Sequence, residues 1–453
     1  MHLAWFSPIP PVKSGIAGRS AELVAALRSR GHDIDIYVDG SPSIASGHET
    51  ARAPARQGVF SAHDFLWRHR RQPYDLTVYQ FGNSSHHDYA WAYALQHPGL
   101  VVLHDTHLHH ARAAFLLRER RVDDYRAEFR WSHPLVNPDV AELAVAGFDS
   151  ALYYDYPMVR SLVASSRLVA VHGEGARAEL TEFSNSIVSI RLGEGESLSP
   201  DREEAARRAV RDRYGIPDDA VVFGCFGGLT PEKRIAQVLA ALRAIQPHAP
   251  FARLLLAGAP AAHYDVAAAV AAHGLSDRVT LTGYLERDDD LTDHLAACDV
   301  SLNLRWPTAR ETSGPWLRAL AAGRATVITD LVHMGDVPSL DPRTWRANTL
   351  SASAQSRKPV CVAIDILDED HSLRLAMRRL ATDAALRERL ARAGLAWWER
   401  EHTVEAMVDD YERVMRDAAS RPDPDVDLPA HMRNTGDRRL RALLAPFGIE
   451  AGL

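Results

Sequence analysis

Cysteine is scarce: Cys225, Cys298 and Cys361 are the only three in 453 residues, and none stands in C-x-x-C spacing. This excludes a disulfide framework and a cysteine zinc site, and it suits a reducing compartment. No apolar run reaches the roughly 20 residues that span a bilayer. The opening "MHLAWFSPIPP" lacks a basic lead and is soon broken by prolines, so it is expected to be a first strand rather than a signal peptide. Basic excess is also missing. The net charge is -7, with 25% charged and 46% hydrophobic residues, which gives no argument for a nucleic-acid partner. Neither an internal repeat nor a low-complexity tract occurs. The expectation is a cytoplasmic protein, with peripheral contact at the inner face of a membrane left open.

What is present is alternation. Short apolar strands alternate with amphipathic helices over a chain too long for one ordinary core, which argues for α/β domains with doubly wound parallel sheets. "HLAWFS" leads into a Pro/Gly loop, and a helix is predicted from about Ser20 to Arg30, capped by Gly31. "DIDIYV", "YDLTVYQF", "GLVVLHD" and "SRLVAVHG" read as buried strands. Their polar ends place His104, Asp105 and His172 where ligands gather in such sheets. "LGEGESLSPD" (192–201) reads as a linker, after which "AVVFGCFG", "ARLLLAG", "RVTLTGYL", "DVSLNL" and "ATVITD" begin a second series. A charged helical stretch follows over about 386–416. "RPDPDVDLP" then breaks the pattern, and the tail from His431 is predicted as one further helix.

Three loop-to-helix segments suggest anion sites. In "FGCFGGLTPEKRIAQVLAAL", Lys233 and Arg234 oppose the dipole of the helix they begin unless an anion compensates; the plain alternative is a connection with solvated charges. The segment is not a Walker loop, because no G-x-x-x-x-G-K-[ST] exists here. In "ETSGPWLRALAAG", Thr312 or Ser313 can cap the helix, Pro315 suits its first turn, and Gly314 admits a ligand to the backbone. Glu311 beside it could accept hydrogen bonds from sugar hydroxyls, and a capped structural helix is the alternative. Two such helix starts favour a diphosphate more than either alone. "SPIPPVKSGIAGRSAEL" adds Ser14, Gly15 and Gly18, without the G-x-G-x-x-G spacing.

The histidine runs "LHDTHLHHAR" and "NSSHHDY" allow a metal site in principle. With no H-E-x-x-H, they read better as polar lining of a substrate cleft. "WRHRR" and "LRERRVDDYRAEFR" are solvated helix faces, or else a patch for a phosphate-bearing acceptor or an anionic membrane surface.

Taken in order, "PIPPVKSGIAGRSAELVAAL", "FGGLTPEKR", "TGYL" and "RETSGPWLRALAAG" resemble glycosyltransferase family 4 over most of the chain. The likeness is strongest to bacterial members with a "PP-x-x-SGIA" loop and an "NLR-x-PT-x-x-ETSG" segment. The resemblance implies a GT-B fold: an N-terminal Rossmann-like acceptor domain (1–195), a C-terminal Rossmann-like donor domain (196–395), and a crossover helix and tail (396–453) returning to the first. It also implies retention of anomeric configuration, a nucleotide diphosphate sugar as co-substrate, and no metal or other cofactor. On this resemblance Lys233 meets the donor diphosphate, Glu311 the donor sugar, and the Gly314 amide faces the donor. Ser14 and Gly15 close on the phosphates, Tyr284 lies in the donor-side "TGYL" loop, and His104 and Asp105 surround the reacting sugar.

Two positions depart from the pattern. The second glutamate of the family pair falls on Ala319, and the loop arginine falls on Gly228; Arg234 or Arg318 could supply the missing charge. The expected activity is sugar transfer to the hydroxyl of a saccharide or lipid-linked acceptor, in polysaccharide or glycoconjugate biosynthesis. Lys233, Arg234 and the Gly15 and Gly314 amides would stabilise the departing diphosphate. The departures motivate an alternative, a nucleotide-sugar-binding or scaffold protein without turnover. A metal-dependent hydrolase built on the histidine run is a third reading.

Overall fold

The computed structural model describes residues 1–40, 58–148, 151–184, 186–348, 358–433 and 445–448. Most of the tail helix predicted from His431 lies outside them. Two sheets organise the chain. The first contains β1 (His2–Phe6), β2 (Asp33–Val38), β3 (Val59–Ser61), β4 (Leu76–Phe81), β5 (Leu100–Leu103), β6 (Leu168–His172) and β7 (Ile187–Ile190), in the order β3-β2-β1-β4-β5-β6-β7. Every pairing in it is parallel. Strands such as β4 are buried at every position, because helices cover both faces of a parallel sheet.

The second sheet contains β8 (Val221–Phe226), β9 (Ala252–Ala257), β10 (Val279–Gly283), β11 (Val300–Asn303), β12 (Ala325–Thr329), β13 (Ser339–Asp341), β14 (Arg346–Ala347) and β15 (Cys361–Ile364). Its order is β10-β9-β8-β11-β12-β15-β13-β14. Only the β13–β14 pair is antiparallel.

Strand order locates the site. In the first sheet the chain reverses direction between β1 and β4, and in the second between β8 and β11. The loops leaving such neighbours part company and open a crevice at the strand ends, where ligands bind in doubly wound folds. The helix after β1 runs from Gly15 to Ser29, five residues earlier than predicted. Ser14 is extended before it, and an added side chain at Gly15 would meet nothing within 4 Å. The Pro/Gly loop therefore ends in an uncovered helix start.

The stretch predicted as one long helix is two, Ala384–Glu401 and Val404–Ser420. The first packs on the second sheet's helix Gly314–Ala321, with the Trp316 and Trp397 rings 5.5 Å apart. The second lies on the first sheet. Its buried stripe of Met407, Val408, Tyr411, Val414, Met415 and Ala418 has helical spacing. At about 1.5–3 kcal/mol per large buried apolar side chain, the stripe contributes on the order of 10 kcal/mol before entropy. Arg191 grips Asp410 through Nε and Nη2 at 2.8 and 3.1 Å.

The chain passes between the domains at 191–199 and at 402–403, and the two passages are hydrogen-bonded together. Glu194 N–H donates to the His402 carbonyl (3.1 Å), Trp398 Nε1 to the Glu194 carbonyl (2.8 Å), and His402 Nδ1 to the Leu192 carbonyl (2.9 Å). Among the described residues no helix is long and apolar enough to cross a membrane.

Candidate active site

The loop after β8 builds one wall. Gly227, at φ +88°, turns the chain so that Lys233 folds back, and its Nζ donates to the Phe226 carbonyl at 2.5 Å. Burial, and then the nearby Arg305 charge, push the Lys233 ammonium down to about 8. Arg234 is left-handed at φ 59°, and this turns its side chain the other way. Its Nε and Nη2 grip the Glu369 carboxylate at 2.8 and 2.5 Å. Adjacent in sequence, Lys233 and Arg234 are thus split between pocket and scaffold. Arg318 does not supply the missing charge freely either, since it and Arg19 both pair with the buried Glu194.

The loop between β11 and the helix Gly314–Ala321 builds the second wall. Trp306 N–H donates to the Glu232 carbonyl at 2.8 Å, so this loop lies against the Lys233 turn. Arg305 Nε donates to Glu311 Oε1, and the Thr308 hydroxyl donates to Oε2 at 2.7 Å. Burial alone would push the Glu311 carboxyl up, but Arg305 and the Thr308 bond outweigh it and hold it below its ordinary value. Ser313 is the helix cap, its hydroxyl accepting from Trp316 N–H at 3.3 Å. Thr312 instead reaches across the cleft to the His172 carbonyl, also at 3.3 Å. Ala319, where the second glutamate of the pair would stand, is completely buried among Phe226, Ala257 and Cys298, so it offers a ligand no contact. Lys233, Arg305, Thr308, Glu311, Gly314 and Thr329 line one pocket.

The first domain closes the cleft from the other side. Asp105, at the end of β5, accepts from Asn83 N–H at 2.7 Å. Burial, and then the Glu311 charge, push its carboxyl up, so two carboxylates from opposite domains share one cleft. A Cβ built on Gly82 would collide with the Ile16 tip and sit 3.1 Å from His87 Nε2 and 3.2 Å from Asp105 Oδ2. Only glycine leaves that corner uncrowded. His104 stands beside Asp105, but both its ring nitrogens are engaged, with Gln80 Oε1 at 2.8 Å and His172 Nε2 at 3.1 Å. Tyr411, from the returning helix, donates to the same Gln80 oxygen at 3.2 Å. Ser14 precedes the uncovered helix start at Gly15 without capping it. The neighbouring Lys13 places its ammonium 4.5 Å from the centre of the Tyr284 ring, joining the rims of the two domains.

The remaining histidines disperse: His107 pairs with Glu179, His109 with Tyr125, and His86 is exposed. Among the described residues no group of three His, Cys, Asp or Glu side chains is arranged to hold a metal. A neighbouring pocket beyond Thr312 and Trp316 is lined by His172, Arg191, Trp397 and His402. Arg191 is committed to Asp410 there, and burial pushes His172 down to about 3 and His402 to about 4. That chemistry does not suit a diphosphate. Sequence reasoning did not single out Arg305; its position inside the quoted "NLR" segment was the available signal.

Residues 220–343 match the family described as "Glycosyl transferases group 1". A 158-residue stretch is 31% identical to the D-inositol 3-phosphate glycosyltransferase of Stackebrandtia nassauensis, covering 30% of this chain and 33% of that one. The chain thus spans about a third of that curated relative's length. Among solved structures, sucrose-phosphate synthase from Thermosynechococcus elongatus gives a TM-score of 0.61 at 16% identity, covering 92% of this chain and 98% of that one. HepE from Anabaena, solved in complex with UDP and glucose, also gives 0.61, at 14% identity over 92% and 99%. The fold is GT-B: two Rossmann-like domains facing each other across a cleft. Its second domain carries the glycosyl transferases group 1 segment.

Proposed function

We propose that the chain is a retaining glycosyltransferase of family 4 that moves a sugar from a nucleotide diphosphate sugar to an acceptor hydroxyl. One observation carries the reading. Lys233 and Glu311 meet at a pocket where the helix Gly314–Ala321 begins, so a cation, a carboxylate and the Gly314 backbone N–H converge. Breaking the anomeric bond leaves negative charge on the diphosphate. Lys233 and the Gly314 amide stabilise it without a metal ion, with the Gly15 helix start closing from the first domain. Glu311 orients the donor sugar, and Asp105 holds acceptor and sugar near the anomeric carbon. The matched group 1 segment and the UDP and glucose seen in HepE support a nucleotide-sugar donor. The acceptor is a saccharide or lipid-linked saccharide, met in the cytoplasm or at the inner face of a membrane.

Thermal-shift screening against nucleoside diphosphates and their sugars tests this, because a ligand that binds only the folded chain raises its melting point. A shift followed by slow hydrolysis of the same labelled donor in water is expected. No shift with any donor removes the reading. A shift without hydrolysis or transfer favours the non-catalytic alternative, which the buried Ala319 motivates.

A further inference from the structure

Two cations from adjoining walls face one pocket. Lys233 comes from the turn after β8 and Arg305 from the loop after β11, and the Trp306–Glu232 backbone bond fixes those loops side by side. Like charges held together in a folded chain are unfavourable unless an anion meets them both. Glu311 offsets both charges and Asp105 and Glu232 also offset Arg305, but in hydrogen bonds Glu311 takes only the Arg305 Nε while sharing its own second oxygen with Thr308. Among the described residues neither terminal nitrogen of Arg305 has a hydrogen-bond partner, and its side chain is 39% exposed at the pocket it lines. A guanidinium can hold one carboxylate oxygen with its Nε and present its two terminal nitrogens as a fork to phosphate oxygens. Lysine, a point charge, cannot do both. Arg234 and Arg318, the other arginines considered for the role, are held by Glu369 and Glu194.

We propose that Arg305 is a second ligand of the donor diphosphate, its terminal nitrogens gripping the phosphate beside Lys233 while its Nε keeps Glu311 aimed at the donor sugar. The inference rests on the glycosyltransferase reading. In the transfer step the bond from the anomeric carbon to the diphosphate oxygen breaks, and its electron pair stays on that oxygen. The acceptor oxygen forms the new bond to the anomeric carbon, and its proton passes to the departing diphosphate. Arg305 and Lys233 share the charge that develops, and Arg305 ties that job to the orientation of the sugar.

Titration calorimetry of the full chain with UDP, ADP and GDP tests it, using Arg305→Met, Arg305→Lys, and Arg305→Met combined with Gly228→Arg. At Gly228, in the loop that carries Lys233, an added Cβ meets nothing within 4 Å, so a side chain can start there without a clash. Arg305→Met is expected to weaken the preferred diphosphate at least tenfold. Arg305→Lys should fall between it and the wild type, and the double variant should recover most of the loss. Recovery by the arginine at position 228 is the readout that a merely structural Arg305 would not give, and the pH dependence reports the Arg305–Lys233 repulsion. Lys233 faces Arg305, Glu311 and Cys225, and it loses its proton at about 8 in the empty site. Nucleotide affinity should therefore fall as pH rises past that value. Removing Arg305 relieves the repulsion and shifts this fall to higher pH. Equal diphosphate affinity in wild type and Arg305→Met at pH 7, or no recovery in the double variant, overturns the inference and leaves the donor reading standing. A wild-type chain that binds none of the three overturns both.

Discussion

Replacing Lys233 with methionine should move stability and activity in opposite directions. Burial, with Arg305 next, holds the ammonium down from 10.5 to about 8. At 1.36 kcal/mol per pH unit, the cost of keeping that charge in the empty folded chain is at most roughly 3 kcal/mol. The bond from Nζ to the Phe226 carbonyl returns about 1 kcal/mol. Methionine fills similar space without the charge, so a net gain of about 1–2 kcal/mol follows, read as a melting point a few degrees higher at pH 7. The sign has a pH signature. Between about 8 and 10.5 the unfolded chain holds the Lys233 proton and the folded chain does not, so wild-type stability rises with pH across that window. The variant's advantage should therefore shrink as pH climbs. Activity goes the other way: losing a fixed donor at a developing oxyanion costs roughly 2.7–4 kcal/mol, a factor of about 10²–10³ in turnover. Melting curves at pH 7 and pH 10, paired with donor-hydrolysis rates, measure both halves. A variant that melts lower than wild type at pH 7 and turns over donor at the normal rate would refute the reasoning.

Gly82→Ala should push aside Ile16 and crowd Asp105 and His87. The expected stability cost is about 1 kcal/mol, and the expected loss of turnover is about tenfold or more; unchanged turnover would remove Asp105 from the reacting centre. Tyr284→Ala deletes the ring under Lys13, a contact of about 0.5–1 kcal/mol at an exposed rim. The donor KM should rise about two- to fivefold with kcat unchanged, and initial-rate kinetics in which kcat falls instead would show that Tyr284 acts on the chemical step.

Most strands of the two sheets were legible because a parallel strand buried on two faces reads as an unbroken apolar run, as in "YDLTVYQF" for Leu76–Phe81, but the four-residue β7 and β15 were not read from the sequence. The short β3 and the β13–β14 pair carry too few residues for a pattern. The break between the two C-terminal helices had a signal in Thr403, which caps the second by accepting from Ala406 N–H at 3.2 Å; the continuous charged pattern around it concealed this. At the site, helix starts and turn glycines pointed to Lys233 and Gly314. Side-chain direction was not legible. Arg234 turns to Glu369 because of one left-handed residue. His104 is occupied by partners 24 and 68 positions away. Arg305 acquires meaning only when a backbone bond brings its loop to one some 70 residues earlier.

The two passages of chain between the domains, near Leu192–Glu194 and at His402, are stitched side by side. Two tethers lying together act as a spine, and any relative motion of the domains is confined to swinging about it. Residues at the spine, such as Glu194 with its two arginines, turn nearly in place, while the rims joined by Lys13 and Tyr284 travel farthest. The width of the cleft's mouth is therefore governed from the spine, by residues that need not line the cleft at all.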